Sequence, residues 1–250
     1  MYNDNIVAIW TSPRSVSTAL YKSFLQRENT KGCYEPYNDC FYFSEERRST
    51  KYGDTEESRH KNSAFTFSEI QEEAKTCELL VVKDMAFMAN PYISDEELLS
   101  LRNVFLVRNP TRSLRSIRKV KPDFDEVDFG YNDLGEMYKR LSALSDTPPP
   151  VVVSETLIAN PEGTLRRLCD TLKLPFESRM LSWEAGHIRH FEPYEYESHT
   201  RWHTTLAETT GFAEQTAEKA VMDLADLSSF ESKVLEKALP IYDEIAAHAI

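Results

Sequence analysis

Glycine is missing from the first part of the chain: none occurs among residues 1–31. A nucleoside-triphosphate loop of the form GxxxxGK[ST] needs glycines, which let the backbone approach the phosphates, and a lysine directly before the Ser or Thr. Here Val16 precedes the Ser17-Thr18 pair, and no lysine lies before it. These absences disfavour an ordinary ATP or GTP loop near the start of the chain.

Cysteine is also sparse. The four cysteines show no CxxC or other metal-ligand spacing, and they are too few to staple 250 residues; they are Cys33, Cys40, Cys77 and Cys169. We therefore expect reduced, packed thiols rather than disulfides or a metal site.

Basic residues are outnumbered by acidic ones, 29 against 41, and the net charge is -12. This balance argues against nucleic acid or an anionic membrane surface as a partner, because both need clustered Lys and Arg. No window of about 18 apolar residues could span a bilayer. The opening MYNDN lacks the basic start of a signal peptide, so the sequence predicts a cytoplasmic protein.

The most informative segment runs from Ile6 to Phe24. Ile6 to Trp10 is an apolar run of strand length, a polar turn follows, and helical spacing of apolar residues resumes at Ala19. A strand–loop–helix unit aims backbone N–H groups and the positive end of a helix dipole at one point, which suits a doubly charged phosphate or sulfate. Three side chains would assist the backbone: Arg14, Ser17 and Thr18. An ordinary connection, with a serine cap and a solvated arginine, remains an alternative.

Further apolar runs predict the rest of a sheet. Leu79 to Val82, Val104 to Val107 and Val151 to Val153 read as parallel strands buried on both faces, and Gly32 to Pro36 reads as a shorter strand. Because these runs alternate with helical patterns, we expect an α/β fold with three layers, a mostly parallel central sheet between helices. No linker or repeat interrupts the pattern, so residues 1–250 are interpreted as a single domain.

Several helices are indicated by capping patterns. Pro110 suits the first turn of a basic helix, and Asn160-Pro161 supplies both the cap and the first residue of another. Residues 38–75 are polar and irregular; we interpret them as a surface excursion that could act as a lid, with one helix from Ser68 to Lys75. The C-terminal third is helix-rich, ending in a helix kinked near Pro240.

Three strand ends carry Arg14, Lys83 and Arg108, and in a parallel sheet these ends share one edge. Arg108 ends a buried strand, where a charge needs an anion or carboxylate, and Ser116 lies eight residues later on a helix. The other basic residues of this segment are interpreted as a solvated face offset by the acids of residues 123–133; they are Arg115, Arg118, Lys119 and Lys121.

These residues carry a resemblance to a known family. The loop TSPRSVST resembles the 5'-phosphosulfate loop of sulfotransferases that use 3'-phosphoadenosine 5'-phosphosulfate (PAPS), and Arg108 with Ser116 matches their 3'-phosphate pair. The stretch from Ser154 to Phe176 is similar to the family's strand, acidic residue, Asn-Pro helix and Leu-Pro-Phe turn. The resemblance implies a P-loop-type fold and a set of PAPS-binding residues: Arg14, Ser15, Val16, Ser17, Thr18, Arg108, Ser116 and Arg201. Val16 departs from the common glycine but fits a bacterial branch with Pro-Arg loops.

The family's frequent catalytic histidine is absent, because Met85 stands two residues after Lys83. In branches with Pro-Arg loops a glutamate from the next strand often takes that role, and Glu35 occupies the matching position. Glu35 is therefore the expected base, with Asp84 in reserve and Lys83 as a further member of the catalytic group. The alternative for Glu35 is a structural ion pair with Arg14 or Lys83.

Four histidines could suggest a metal: His187, His190, His199 and His203. Their pairs lack the acidic residue of an HExxH motif, so no metal is expected. We interpret the aromatic-rich segment around them as an acceptor-pocket wall or cofactor flap, with Arg201 as an extra 3'-phosphate contact.

The resemblance thus implies a PAPS-dependent sulfotransferase that modifies a hydroxyl or amine of a small-molecule acceptor. Transfer would be in line, with Arg14 on the leaving phosphate and Glu35 on the acceptor proton. A kinase-like nucleotide phosphotransferase and a non-catalytic nucleotide-binding module are the alternatives. The sequence leaves open the acceptor and whether the chain forms homo-oligomers.

Overall fold

The structure is a computed structural model that describes residues 4–186, 188, 192–196, 209–212 and 226–250. Within those ranges the strands are β1 (Ile6–Thr11), β2 (Thr30–Tyr34), β3 (Leu79–Met85), β4 (Arg102–Val107) and β5 (Val151–Val153). The longer helices are α1 (Ser17–Leu25), α3 (Ser63–Ala74), α6 (Pro110–Val120), α8 (Tyr131–Leu144), α10 (Pro161–Thr171) and α11 (Ser229–Ala246). The shorter ones are α2 (Tyr37–Tyr42), α4 (Ala86–Ala89), α5 (Asp95–Leu99), α7 (Glu126–Phe129) and α9 (Ser154–Ala159).

The five strands form one sheet in the order β2-β3-β1-β4-β5, and every neighbouring pair is parallel. The first strand lies at the centre and is fully buried, with Trp10 in register with Asp84 on one side and Phe105 on the other. The expected α/β fold with a parallel central sheet is confirmed. The carboxyl ends of all five strands therefore share the edge to which the loop after β1 belongs.

Helices cover both faces of the sheet because side chains alternate along each strand. Ile6, Ala8 and Trp10 pack with α2, α3, α4 and α8 on one face. Val7 and Ile9 pack with α1, α9 and α10 on the other. Both sets are buried, so the central strand is apolar on each face and the three-layer arrangement is confirmed.

The segment 38–75 is not simply a polar excursion. Phe41, Tyr42 and Phe43 are buried in the hydrophobic core, and α2 already occupies the segment's first residues. The predicted helix start at Ser68 is wrong, because the third helix begins at Ser63 and the Asn62 side chain accepts a hydrogen bond from the Phe65 N–H (2.9 Å). Apolar residues keep their helical spacing on α3 on both sides of Ser68, so the helix extends back to the cap at Asn62.

The solvated-face interpretation of the basic helix is wrong for Lys121. Its side chain is buried and forms an ion pair with Asp128, which also binds Lys51 at 2.7 Å. Asp128 belongs to the acidic run that was expected to balance the charge of this helix. It balances the charge of Lys121 through a buried ion pair, not through solvent. A second member, Arg118, lies 2.9 Å from Glu231 of α11.

Two other helices start where the sequence predicts. Asn109 and Asn160 cap their helices with Pro110 and Pro161 at the first position, and Pro240 lies inside α11. Among the described helices, none combines the length and apolar composition that crossing a bilayer requires.

Candidate anion-binding and transfer site

The loop between β1 and α1 is bent by two residues in the left-handed region. Arg14 has φ 65° and Val16 has φ 60°, while Ser15 between them does not. Such alternation turns successive backbone N–H groups towards one side and makes an anion-binding concavity. Left-handed backbone at a branched residue costs on the order of 1–3 kcal/mol and persists only where the surroundings impose it, which is typical of functional sites.

Hydrogen bonds from neighbouring strands impose this conformation. The Ser15 hydroxyl pairs with Thr11 and donates to the Ser12 carbonyl (2.8 Å), and the Ser15 carbonyl accepts from Ser154 at 2.6 Å. Thr11 in turn donates to the Leu106 carbonyl of β4 (2.9 Å). Ser15 therefore fixes the shape of the loop with its side chain and can offer a ligand its backbone N–H.

The structure brings Arg14 together with Arg108 and Ser116, which lie 94 and 102 positions further along the chain. Arg14 Nε donates to Ser116 Oγ at 2.9 Å, and an Arg108 guanidinium nitrogen donates to the Arg14 carbonyl at 2.7 Å. Burial lowers the pKa of Arg14, with the nearby Arg108 charge as the second cause, and burial likewise lowers the pKa of Arg108. The buried guanidinium group of Arg108 and the partly buried one of Arg14 lie beside one loop and make an electropositive site, which favours an anion of high charge.

Glu155, in the first turn of α9 just beyond β5, also faces this cluster. Its Oε1 lies 3.9 Å from Arg108 Nε and 3.8 Å from Arg112 Nε, and it accepts from the Asn109 N–H at 3.3 Å. The sequence reading noted an acid here only as part of the family pattern and gave it no role. Its position at a strand end on the same sheet edge as Arg108 is the signal that could have identified it.

Glu35 and Lys83 meet on the α1 side of the sheet edge. The Lys83 ammonium is fully buried and forms an ion pair with the Glu35 carboxylate, which is itself buried. The backbone of Glu35 is left-handed (φ 49°) and its N–H donates to the Lys83 carbonyl at 2.7 Å. The ion pair with Lys83 that the sequence left open is therefore present, and it fixes the carboxylate beside the strand ends.

Asp84 points to the opposite face of the sheet, as alternation along β3 requires. Its two oxygens accept hydrogen bonds from the Tyr37 and Met85 N–H groups, both at 2.8 Å, so it anchors the start of α2. Burial raises the pKa of Asp84 to about 8, and the nearby negative charge of Glu35 is the second cause. These contacts argue against Asp84 as a reserve base and for a structural role.

Tyr34, which the sequence reading missed, lies between the loop and the ion pair. The Tyr34 hydroxyl is 3.1 Å from the Thr18 hydroxyl. The Lys83 ammonium lies 3.5 Å from the Tyr34 hydroxyl and 4.7 Å from the centroid of the Tyr34 ring. The residue directly precedes Glu35 at the end of β2, and that adjacency is the only sequence signal for it.

Some predicted site residues lie outside the described part of the chain: Arg201, His187, His190, His199 and His203. Their predicted roles stay predictions. Within the described ranges, no group of three or more metal-ligating side chains comes together.

In this fold the central strand of a parallel sheet leads into a strained, electropositive loop that can bind an anion. This arrangement is typical of proteins that bind phosphate or sulfate groups. A sequence profile of the family described as "Sulfotransferase domain" matches residues 5–249. The chain belongs to this family.

Solved structures show the same fold. The sulfotransferase domain from the Synechococcus PCC 7002 olefin synthase aligns over 95% of this chain and 95% of its own, with a TM-score of 0.56 and 16% identity. The sulfotransferase domain from the curacin biosynthetic pathway covers 93% of this chain and 96% of its own, with a TM-score of 0.53 and 18% identity. At these identities the likeness concerns the fold alone.

Two Arabidopsis thaliana proteins are similar in sequence. "Branched-chain-amino-acid aminotransferase-like protein 1" is 29% identical over 99% of this chain, and "Branched-chain-amino-acid aminotransferase-like protein 2" is 30% identical over 97%. The matched regions are 43% and 42% of the plant proteins, so the chain spans about two fifths of their length.

Proposed function

We propose that this protein is a PAPS-dependent sulfotransferase that moves a sulfuryl group to a hydroxyl or amine of a small-molecule acceptor. The observation that carries the proposal is the meeting of Arg14, Arg108 and Ser116 beside the loop after β1. PAPS carries phosphate at two positions of its ribose, and a loop with a separate arginine–serine pair next to it offers one binding group for each.

Each residue of the loop has a place in this proposal. The backbone N–H groups of residues 15–18, with the Ser17 and Thr18 hydroxyls, bind the 5'-phosphate at the start of α1. Arg108 and Ser116 bind the 3'-phosphate. Arg14 stabilises the negative charge that grows on the leaving 5'-phosphate, where a positive charge lowers the barrier most.

The reaction forms one bond and breaks one. The acceptor oxygen or nitrogen attacks sulfur in line, the bond from sulfur to the phosphate oxygen breaks, and 3',5'-ADP leaves with that electron pair. The acceptor proton passes to Glu35. Lys83 holds the Glu35 carboxylate in place at the strand ends by pairing with it inside the protein.

Nucleotide selectivity tests the proposal without knowledge of the acceptor. Calorimetry should show tighter binding of 3',5'-ADP than of 5'-AMP or ATP. Arg108→Ala should weaken 3',5'-ADP by about tenfold to a hundredfold, the loss expected for a charge-assisted hydrogen bond, and barely affect 5'-AMP.

A matched control is Arg166→Ala on α10, whose guanidinium pairs with Glu162 at an exposed site and should not alter either affinity. Equal losses for 3',5'-ADP and 5'-AMP in Arg108→Ala would contradict the 3'-phosphate assignment. Preferential binding of ATP would favour the kinase-like alternative, and tight binding of 3',5'-ADP without any turnover would favour the non-catalytic module.

A further inference from the structure

A chain of buried polar contacts connects the anion loop to the Lys83–Glu35 ion pair. It runs from the Thr18 hydroxyl to the Tyr34 hydroxyl (3.1 Å), then to the Lys83 ammonium (3.5 Å) and on to Glu35. All four side chains are buried. In such surroundings each hydrogen has few acceptors, so the direction of one hydrogen bond constrains the next.

The donor and acceptor capacities of these groups set that direction. An ammonium has three hydrogens to donate and no lone pair, so the Tyr34 oxygen must accept from Lys83. Burial raises the pKa of Tyr34 well above its usual range, so the phenol keeps its single hydrogen. The Glu35 carboxylate holds the Lys83 ammonium and still has lone pairs to accept the Tyr34 hydrogen, so without an anion this hydrogen is directed to Glu35 while Thr18 donates to Tyr34.

An anion in the loop decides between these arrangements. Phosphate oxygens only accept, so Thr18 donates its hydrogen to the anion, and its oxygen can then only accept from its other neighbour. That neighbour is the Tyr34 hydroxyl. Tyr34 can then donate to Thr18 while accepting from Lys83. The Lys83 charge polarises the Tyr34 and Thr18 hydroxyl groups and so strengthens the hydrogen bond from Thr18 to the anion.

We propose that Tyr34 is a positioning residue that orients the Thr18 hydroxyl as a hydrogen-bond donor to the bound anion. This inference rests on the proposed function, because it assigns Thr18 to the 5'-phosphate. Tyr34 does not touch the anion; its effect is exerted through Thr18 and depends on Lys83.

A double-mutant cycle on 3',5'-ADP binding tests this role. Tyr34→Phe removes the hydroxyl and keeps the ring, and we expect it to weaken binding about five- to tenfold; Thr18→Ala should cause a loss at least as large. The double variant should bind no more weakly than Thr18→Ala alone, because without the Thr18 hydroxyl there is nothing left to orient. A general loosening of the loop would instead add to the Thr18→Ala loss.

Tyr21→Phe is the matched control, since Tyr21 is a buried tyrosine whose ring packs edge-on against Tyr34 at 5.3 Å. It should bind 3',5'-ADP like the wild type. Wild-type affinity in Tyr34→Phe, or additive losses in the double variant, would overturn the inference while leaving the proposed function intact. Failure of the wild-type protein to bind 3',5'-ADP would overturn both.

Discussion

The buried ion pair between Lys83 and Glu35 gives a prediction about stability. Lys83→Met keeps a linear side chain of similar length over the Tyr34 ring but removes the charge. Glu35 would then be a buried carboxylate without its ammonium partner. We expect this variant to fold with a much smaller free energy of unfolding.

The magnitude follows from burial. Lys83 is 0% exposed and Glu35 is 5% exposed, so solvent can neither screen the pair nor hydrate the charge left behind. Removing one partner of a buried pair typically costs about 3–5 kcal/mol. Glu35→Gln, which strands the ammonium instead, should cost a similar amount. The double variant Lys83→Met/Glu35→Gln removes both charges and should lose clearly less than the sum of the two single losses.

Urea denaturation followed by circular dichroism measures these free energies. The exposed pair between Lys31 and Glu73, on the β2 strand and the α3 helix, is the matched control: its atoms lie 2.7 Å apart but both side chains are more than 40% exposed. Lys31→Met should change stability little, because water screens an exposed pair. If Lys83→Met and Glu35→Gln each fell within about 1 kcal/mol of the wild type, the buried-pair reasoning would be refuted.

Three further predictions concern the site. Glu35→Gln should lower kcat by about a hundredfold or more while calorimetric binding of 3',5'-ADP stays near wild type; retained turnover would exclude Glu35 as the base. Arg14→Ala should lower kcat more than it raises KM for PAPS, because its charge matters most in the transition state, and a pure KM effect would make it a binding residue only. Asp84 has a folded pKa of about 8 against 3.8 in the unfolded chain, so the folded state binds the extra proton between those values. Wild-type stability should therefore fall, relative to Asp84→Asn, as the pH rises from about 4 to about 8, by up to about 1.4 kcal/mol per pH unit, and parallel pH profiles of the two proteins would contradict this.

The central fold could be predicted from the sequence because its signals are local. Apolar runs such as Val104 to Val107 are too continuous for a half-exposed strand, and Asn-Pro pairs mark helix starts by capping chemistry that does not depend on distant residues. Parallel pairing then brings every strand end to one edge. This topology is why Arg14, Lys83 and Arg108 could be expected to converge.

The missed features depend on tertiary packing. The buried state of Lys121 is set by Asp128, and the aromatic residues of α2 are buried because the sheet leaves a face to cover. Neither fact follows from spacing along the chain.

The direction of the Asp84 side chain could have been inferred, since it must lie opposite to Lys83 on a strand. The contact between Tyr34 and Thr18 could not, because it depends on how α1 packs against β2.

The most direct test of the central claim is transfer of the sulfuryl group itself. Purified protein is incubated with PAPS labelled with radioactive sulfur and a panel of phenols, alcohols and amines, and labelled products and released 3',5'-ADP are quantified. We predict acceptor-dependent release of 3',5'-ADP in equal amount to a labelled product, and loss of both with Arg14→Ala. Absence of labelled product from every acceptor, together with phosphoryl transfer from ATP to the same panel, would contradict the assignment.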